Sequence, residues 1–291
     1  MELLTDSMAL AHWRGACRQQ GGAIGFVPTM GALHPGHLSL IRAAREQCTH
    51  VVASIFVNPT QFGPNEDFAR YPRTLEADRE MLESVGCDAV YLPSVSEIYP
   101  EGFQTTIRVE PLALDLCGRS RPGHFDGVAG VVTILFNRVR PDVAFFGLKD
   151  YQQFLLIRRL VTDLVLPLRV VGVPTVREAD GLAMSSRNRY LGPEDRVRAT
   201  ALHRGLLAAR QAWRAGERQV AVLERVARGV LEQAGIETVE YVAVREAHTL
   251  RGVTQVADHD DVVMLMAARV GGARLIDNMV LSREDGAELS I

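Results

Sequence analysis

Ala23–Ile41 reads AIGFVPTMGALHPGHLSLI. Its first six residues, Ala23–Pro28, form an apolar run of the length expected for a buried strand. Its end opens a helical pattern over Leu38–Gln47. Between them stand two histidines three residues apart, His34 and His37, separated by Pro35 and Gly36. A strand that passes through a short loop into a helix is the repeating unit of parallel α/β sheets.

Working outward, the same alternation continues. His50–Val57 and Asp88–Leu92 read as strands, with a helix over Leu75–Ser84 between them. Thr105–Val109 reads as a further alternating strand. Val128–Val139 reads as a helix that Pro141 stops, Val143–Phe146 as a strand, Tyr151–Leu164 as a helix and Leu168–Val173 as the last strand of this half. The expected fold class is α/β, a Rossmann-like parallel sheet covered by helices on both faces. Beyond about Pro174 the composition changes. Pro193–Ala215 and Gln219–Ala234 are rich in alanine and arginine and read as amphipathic helices. Thr238–Arg245, Asp261–Arg269 and Ala273–Leu281 then read as an antiparallel sheet. With a boundary near Val176–Leu182, the expected organisation is a Rossmann-like domain over residues 1–176. A smaller C-terminal α+β domain would cover residues 177–291.

Composition excludes several classes. The chain has 291 residues, 47% of them hydrophobic and 23% charged, with a net charge of -3. That balance, without runs of like charge, gives no nucleic-acid footprint. No apolar run reaches the roughly 18 residues of a membrane span. Met1–Ala16 lacks the basic flank and apolar core of a signal peptide. The four cysteines, Cys17, Cys48, Cys87 and Cys117, form no C-x-x-C pair, so neither a zinc knuckle nor a disulfide framework is indicated. A cytoplasmic location is expected.

In an open α/β sheet, ligands bind beyond the carboxyl ends of the strands. The residues there are Thr29, Met30, His34 and His37; Asn58, Pro59, Thr60 and Gln61; Lys149, Asp150, Gln152 and Gln153; and Thr175, Val176, Ser185, Ser186 and Arg187. A helix start offers unpaired N–H groups and partial positive charge to a phosphate. Pro35 suits the first helical position, Gly36 allows close backbone approach, and i, i+3 spacing puts both imidazoles on one face. Two histidines so spaced also suit a metal or a simple turn cap. Lys149 is a point charge for phosphate or a surface lysine. Asp150 is a ribose acceptor, a cap for the helix that follows, or both. Ser185, Ser186 and Arg187 belong to a loop that closes over phosphate or to a polar linker. His124, in RPGHFDG, is a catalytic candidate or, the favoured reading, a loop histidine bonded to a neighbour. No P-loop or G-x-S-x-G elbow is present, and GGAIGF precedes its strand rather than following it. No cysteine accompanies a histidine in these loops, so a covalent enzyme intermediate is not indicated.

HPGH, His34–His37, matches the H-x-G-H signature of the nucleotidyltransferase superfamily, which includes class I aminoacyl-tRNA synthetases. MSSRN, Met184–Asn188, resembles that superfamily's second phosphate-binding motif. More closely, the chain resembles the pantothenate synthetase (pantoate–β-alanine ligase) family. The stretches that carry the resemblance are PTMGALHPGH, SIFVNPTQFGPNEDF, YPRT, GHFDGVAGVV, FFGLKDYQQ, VPTVREADGLAMSSRNRYL and RLIDN, in family order over nearly the whole length. The second motif has no lysine between its serines, as in that family; the resemblance implies that Lys149 and Arg187 would supply the charge.

The resemblance implies an AMP-forming ligase of pantothenate and coenzyme A biosynthesis. It would condense (R)-pantoate with β-alanine through a pantoyl adenylate and release pyrophosphate and AMP. Residues 1–176 would then be the nucleotide- and pantoate-binding domain and residues 177–291 its lid. ATP would be a substrate with Mg2+, no tightly bound organic cofactor would be needed, and the partners would be these small molecules and a second copy of the chain in a homodimer. His37 and His34 would act on the phosphates, and Lys149, Ser185, Ser186 and Arg187 would hold the triphosphate. Met30, Gly31, Ala32, Leu33, Pro35, Gly36, Gly147, Leu148, Asp150, Val176 and Met184 would complete the ATP site. Gln61 and Gln153, with Asn58 nearby, would bind pantoate and β-alanine; no dedicated metal ligands are indicated. Gly63–Ala69 would be a gate that shields the adenylate from water. The rivals are a nucleotidyltransferase that keeps the nucleotide in its product and a non-catalytic nucleotide- or RNA-binding module.

Overall fold

The computed structural model describes residues 1–64, 66–257 and 260–281. Among them, the apolar runs of the first half become six strands: β1 (Glu2–Leu4), β2 (Ile24–Thr29), β3 (His50–Ile55), β4 (Ala89–Tyr91), β5 (Val143–Gly147) and β6 (Arg169–Val173). They form one sheet in the order β1-β4-β3-β2-β5-β6 with every pair parallel. Side chains alternate across a strand, and β2 shows both faces covered. Phe26 meets Phe136 of helix His124–Val139 edge to face at 6.3 Å. Val27, its neighbour, clusters with Leu40, Ile41 and Ala44 of helix Pro35–Gln47. The expected doubly covered parallel sheet is therefore present.

β2 is the pivot of the topology. It pairs with β3 on one side (Ile24 with His50) and with β5 on the other (Gly25 with Val143). The chain builds outward through β3 and β4, then returns to build through β5 and β6. That reversal opens a crevice at the carboxyl ends of β2 and β5. Pro28 lies beyond the last β2–β5 pair, Phe26 with Ala144, at the strand end where a missing N–H is tolerated.

The second half yields β7 (Thr238–Glu246), β8 (Val262–Val270) and β9 (Ala273–Leu281), antiparallel in the order β7-β8-β9. Gly271 and Gly272 join β8 to β9 with φ of +54° and +78°, the left-handed pair that a two-residue hairpin requires. Leu202, Leu206 and Trp213 pack with Leu223, Met264 and Met266 in one apolar cluster. By contact density the chain divides into two units. One is Met1–Leu148 with Gln153–Pro174; the other is Lys149–Gln152 with Thr175 onward. Residues 282–291 of the expected C-terminal domain lie outside the described residues.

Two readings of the sequence need correction. Thr105–Val109 is not a strand: no described residue pairs with it, and of its five residues only Val109 is buried. Alternation alone does not supply a ladder partner. Pro193–Ala215 is two helices, Pro193–Ala199 and Ala201–Arg214, parted at Thr200, whose hydroxyl donates back to the Val197 carbonyl at 2.7 Å. The N-terminus also adds β1, paired with β4, and helix Ser7–Gln20, whose first N–H groups Asp6 caps.

Candidate active site

The loop from β2 to its helix is held open by a buried carboxylate. Gly31 and Ala32 both have positive φ, +79° and +51°, which for alanine is strained. Asp78, 1% exposed, accepts from Ala32 N at 2.9 Å and Leu33 N at 2.8 Å, and from the Thr74 hydroxyl at 3.1 Å. Thr29 Oγ1 donates to the Ser54 carbonyl and accepts from Gly31 N. A Cβ on Gly31 would stand 3.0 Å from Asp78 Oδ2, so glycine is required there on two counts. Met30–Leu33 is thus a fixed platform.

The helix begins as the spacing predicts. His34 is the N-cap, Pro35 the first helical residue and His37 the third. The rings lie 4.1 Å apart, centroid to centroid. His34 N donates to His37 Nδ1 at 3.3 Å. A neutral His37 accepting at Nδ1 carries its proton on Nε2, where it is able to donate.

β3 leads into a second fixed loop. Asn58 is fully buried. Its Oδ1 accepts from Thr60 N, Thr60 Oγ1 and the Tyr99 hydroxyl. Its Nδ2 donates to Gln61 Oε1 at 3.0 Å and to the Gly127 carbonyl at 3.1 Å. That amide is saturated. Gln61 in turn points Nε2 at Met30 Sδ, 3.1 Å away, so the structure brings the loops after β2 and β3 together.

The sequence reading of His124 as bonded to a neighbour holds, its partner being Arg121, but it missed that the two hold Gln61 from behind. Its carbonyl accepts from His124 Nδ1 at 2.8 Å and Arg121 Nη2 at 3.2 Å. Arg121 also meets His124 Nε2 at 2.8 Å and binds both carboxylate oxygens of Glu66 at 2.6 and 2.7 Å. Burial pushes the Glu66 carboxyl up, but the Arg121 guanidinium outweighs it and holds the group down to about 2. The only signal was RPGHF itself; the partners lie 55 to 63 residues away. Gly127 completes the bracket: a Cβ there would come within 2.7 Å of Gln61 N. In the expected gate, Glu66 Oε2 accepts from Gly63 N at 3.2 Å, and Phe62 packs on Phe68 and Tyr71. Asn65 lies outside the described residues.

Gly147 ends β5, Leu148–Asp150 form one turn of 3-10 helix, and half-buried Gln153 sits in the first turn of helix Tyr151–Asp163. Within the second unit, Lys149 Nζ stands 3.8 Å from Asp150 Oδ2. Val176–Met184 is a small hairpin: Met184 N donates to Val176 O, and Glu178 N to Leu182 O. Ser185 caps the 3-10 helix Ser186–Tyr190 by accepting from Arg187 N at 3.3 Å. Ser186 is buried, and Met184 and Arg187 are half-buried. Arg196 ties Glu178 and Asp180 together. The stretch whose sequence suits either a loop closing over phosphate or a polar linker is a braced turn in the structure.

A parallel sheet whose switch point carries an H-x-G-H helix start defines an α/β protein of the nucleotide-binding kind. Within that class the chain belongs to the pantoate–β-alanine ligase family, whose model matches residues 2–280. The pantothenate synthetase of Moorella thermoacetica is 53% identical over 285 residues, 98% of this chain and all of that one. The crystal structure of the Thermus thermophilus pantothenate synthetase superposes with a TM-score of 0.90 at 47% identity, covering 97% of this chain and 100% of that one. The pantoate–β-alanine ligase of Francisella tularensis, solved in complex with β-γ ATP and β-alanine, gives 0.80 at 34% identity over 97% and 98% of the two chains.

Proposed function

We propose that the chain condenses (R)-pantoate with β-alanine in two ATP-dependent steps. A pantoate carboxylate oxygen attacks the α-phosphorus of ATP, and pyrophosphate leaves. The β-alanine amine then attacks the acyl carbon of pantoyl adenylate, and AMP leaves with the bridging oxygen. Adenylation turns a poor leaving oxygen into a good one. Family membership over residues 2–280 carries this reading. The H-x-G-H helix start at the sheet's switch point is its local support.

The first step builds charge on the α-phosphoryl oxygens and on pyrophosphate, and preorganised donors lower its barrier. We assign His37 Nε2–H and His34 to the phosphates, His37 being the acid catalyst. Lys149, Ser185, Ser186 and Arg187 hold the triphosphate. Met30–Leu33, Pro35, Gly36, Gly147, Leu148, Asp150, Val176 and Met184 line the rest of the ATP site. Gln61 and Gln153 hold pantoate by its hydroxyls and carboxylate and are assigned, as a pair, to β-alanine as well. Asn58, its amide saturated, serves by orienting Gln61. Residues 1–176 carry the pantoate contacts and most of the nucleotide contacts, and residues 177–291 serve as the lid, which brings Met184–Arg187 to the nucleotide. Magnesium enters with ATP as part of the substrate. Among the described residues, no three His, Cys, Asp or Glu side chains gather as a metal ion would need.

We read the working assembly as a homodimer in the cytoplasm, on family grounds. Among the described residues no helix is long and apolar enough to cross a membrane. The test is AMP release from ATP with pantoate and β-alanine omitted in turn. Release that requires all three supports the reading; AMP retained in the product would favour a nucleotidyltransferase of another kind.

A further inference from the structure

Asp277 and Asn278, on β9, have no place in that mechanism, yet both are buried, at 3% and 8% exposure. Their bonds lead to segments that do have one. Asn278 Nδ2 donates to the Lys149 carbonyl at 2.8 Å, across 129 residues of sequence. Asn278 N donates to Asp277 Oδ1 at 2.8 Å. Asp277 binds both terminal nitrogens of Arg177, at 2.6 and 2.9 Å. Arg177 also donates to the Gly181 carbonyl at 3.1 Å and bridges to Ala183, which closes the hairpin ending at Met184.

A buried ion pair is weak evidence for stability, because well-packed apolar groups of the same volume serve as well or better. A planar bidentate fork does fix position and direction. Here it fixes Arg177 between Val176 and the turn that leads to Ser185. The neighbouring amide fixes the peptide of Lys149. Both anchors belong to one strand, whose register on β8 is unbroken from Val262–Leu281 to Val270–Ala273.

We infer that the Asp277–Asn278 step of β9 is a positioning element that sets Lys149 and the Val176–Arg187 segment for binding a triphosphate. The inference rests on the assignment of Lys149 and Ser185–Arg187 to the phosphates. Neither Asp277 nor Asn278 touches substrate; each acts through the residue it holds.

The test compares Asn278→Ala, its isosteric partner Asn278→Asp and Lys149→Ala. The readouts are calorimetric binding of a non-hydrolysable ATP analogue, the KM for each substrate and thermal unfolding. Loss of one buried hydrogen bond is expected to weaken ATP about tenfold and to raise its KM alike, with the KM for β-alanine unchanged. Asn278→Asp keeps the volume and sets an acceptor against the Lys149 carbonyl, so it is expected to lose at least as much and covers the case in which the alanine variant fails to fold. A purely structural role would lower the Tm without separating the substrates. If ATP affinity is unmoved in both Asn278 variants, or all KM values move together, while Lys149→Ala still loses ATP affinity, the inference is overturned and the phosphate assignment stands. If Lys149→Ala also keeps its ATP affinity, both fall.

Discussion

The carboxylate of Asp78 accepts from the backbone N–H of Leu33 at 2.8 Å, with Oδ2 taking Ala32 N at 2.9 Å. One buried side chain thus holds a loop whose glycine and alanine both stand at positive φ. Asp78→Asn keeps the shape but turns an amide NH2 toward one of those donors. Stability is expected to fall by about 2–4 kcal/mol, the usual cost of losing charge-assisted bonds and leaving a buried donor unpaired. Turnover should fall with it, because His34 and His37 follow directly on this platform. Denaturant unfolding and steady-state rates check both; an unchanged midpoint would remove Asp78 from this role.

His37→Ala is expected to lower kcat by roughly two or more powers of ten, the scale of a positioned proton donor or charge stabiliser. The bond it accepts from His34 N is long, at 3.3 Å, so the Tm should barely move. Near-normal turnover would take His37 out of the chemistry.

Glu66 supplies a pH signature. Its folded value of about 2 lies below its ordinary 4.5. Between those values the unfolded chain binds more protons, so stability rises with pH there. The contribution is fully present above about pH 5 and fades as pH falls through 4.5 toward 2. Discounted for solvent screening, its size is on the order of 1–2 kcal/mol. Glu66→Gln should flatten that part of the profile. The same variant should also let the adenylate hydrolyse faster, if Gly63–Ala69 shields it. Equal hydrolysis and turnover in the variant would count against the gate.

Gly127→Ala tests the bracket behind Gln61. The new methyl would press on the backbone of Thr60 and Gln61, and overpacking of this kind costs about 1–3 kcal/mol. The KM for pantoate should rise more than that for ATP. Equal changes in the two would mean that the bracket does not act through Gln61.

Much of the fold was legible because its signals are local. Valine-rich runs, helical spacing after HPGH and Pro35 at the first helical position needed no tertiary knowledge. β1 was missed because three residues, Glu2–Leu4, carry too little pattern without Ala89–Tyr91 beside them. Thr105–Val109 failed for the converse reason: a pattern without a partner. In the candidate site, HPGH, LKDYQQ and MSSRN stood out as concentrated chemistry. Asp78, Arg121 and Asn278 did not, and His124 did so only as a loop histidine bonded to a neighbour, since the backbone atoms they hold lie 45 to 129 residues away. No spacing rule reaches that far.

The most direct test of the central claim uses pantoate labelled with 18O in its carboxylate. With ATP and β-alanine, the account requires one labelled oxygen to pass from pantoate into AMP, because the carboxylate oxygen bridges to the α-phosphorus and leaves with it. Unlabelled AMP, or label in inorganic phosphate, would contradict the pantoyl adenylate and the roles built on it.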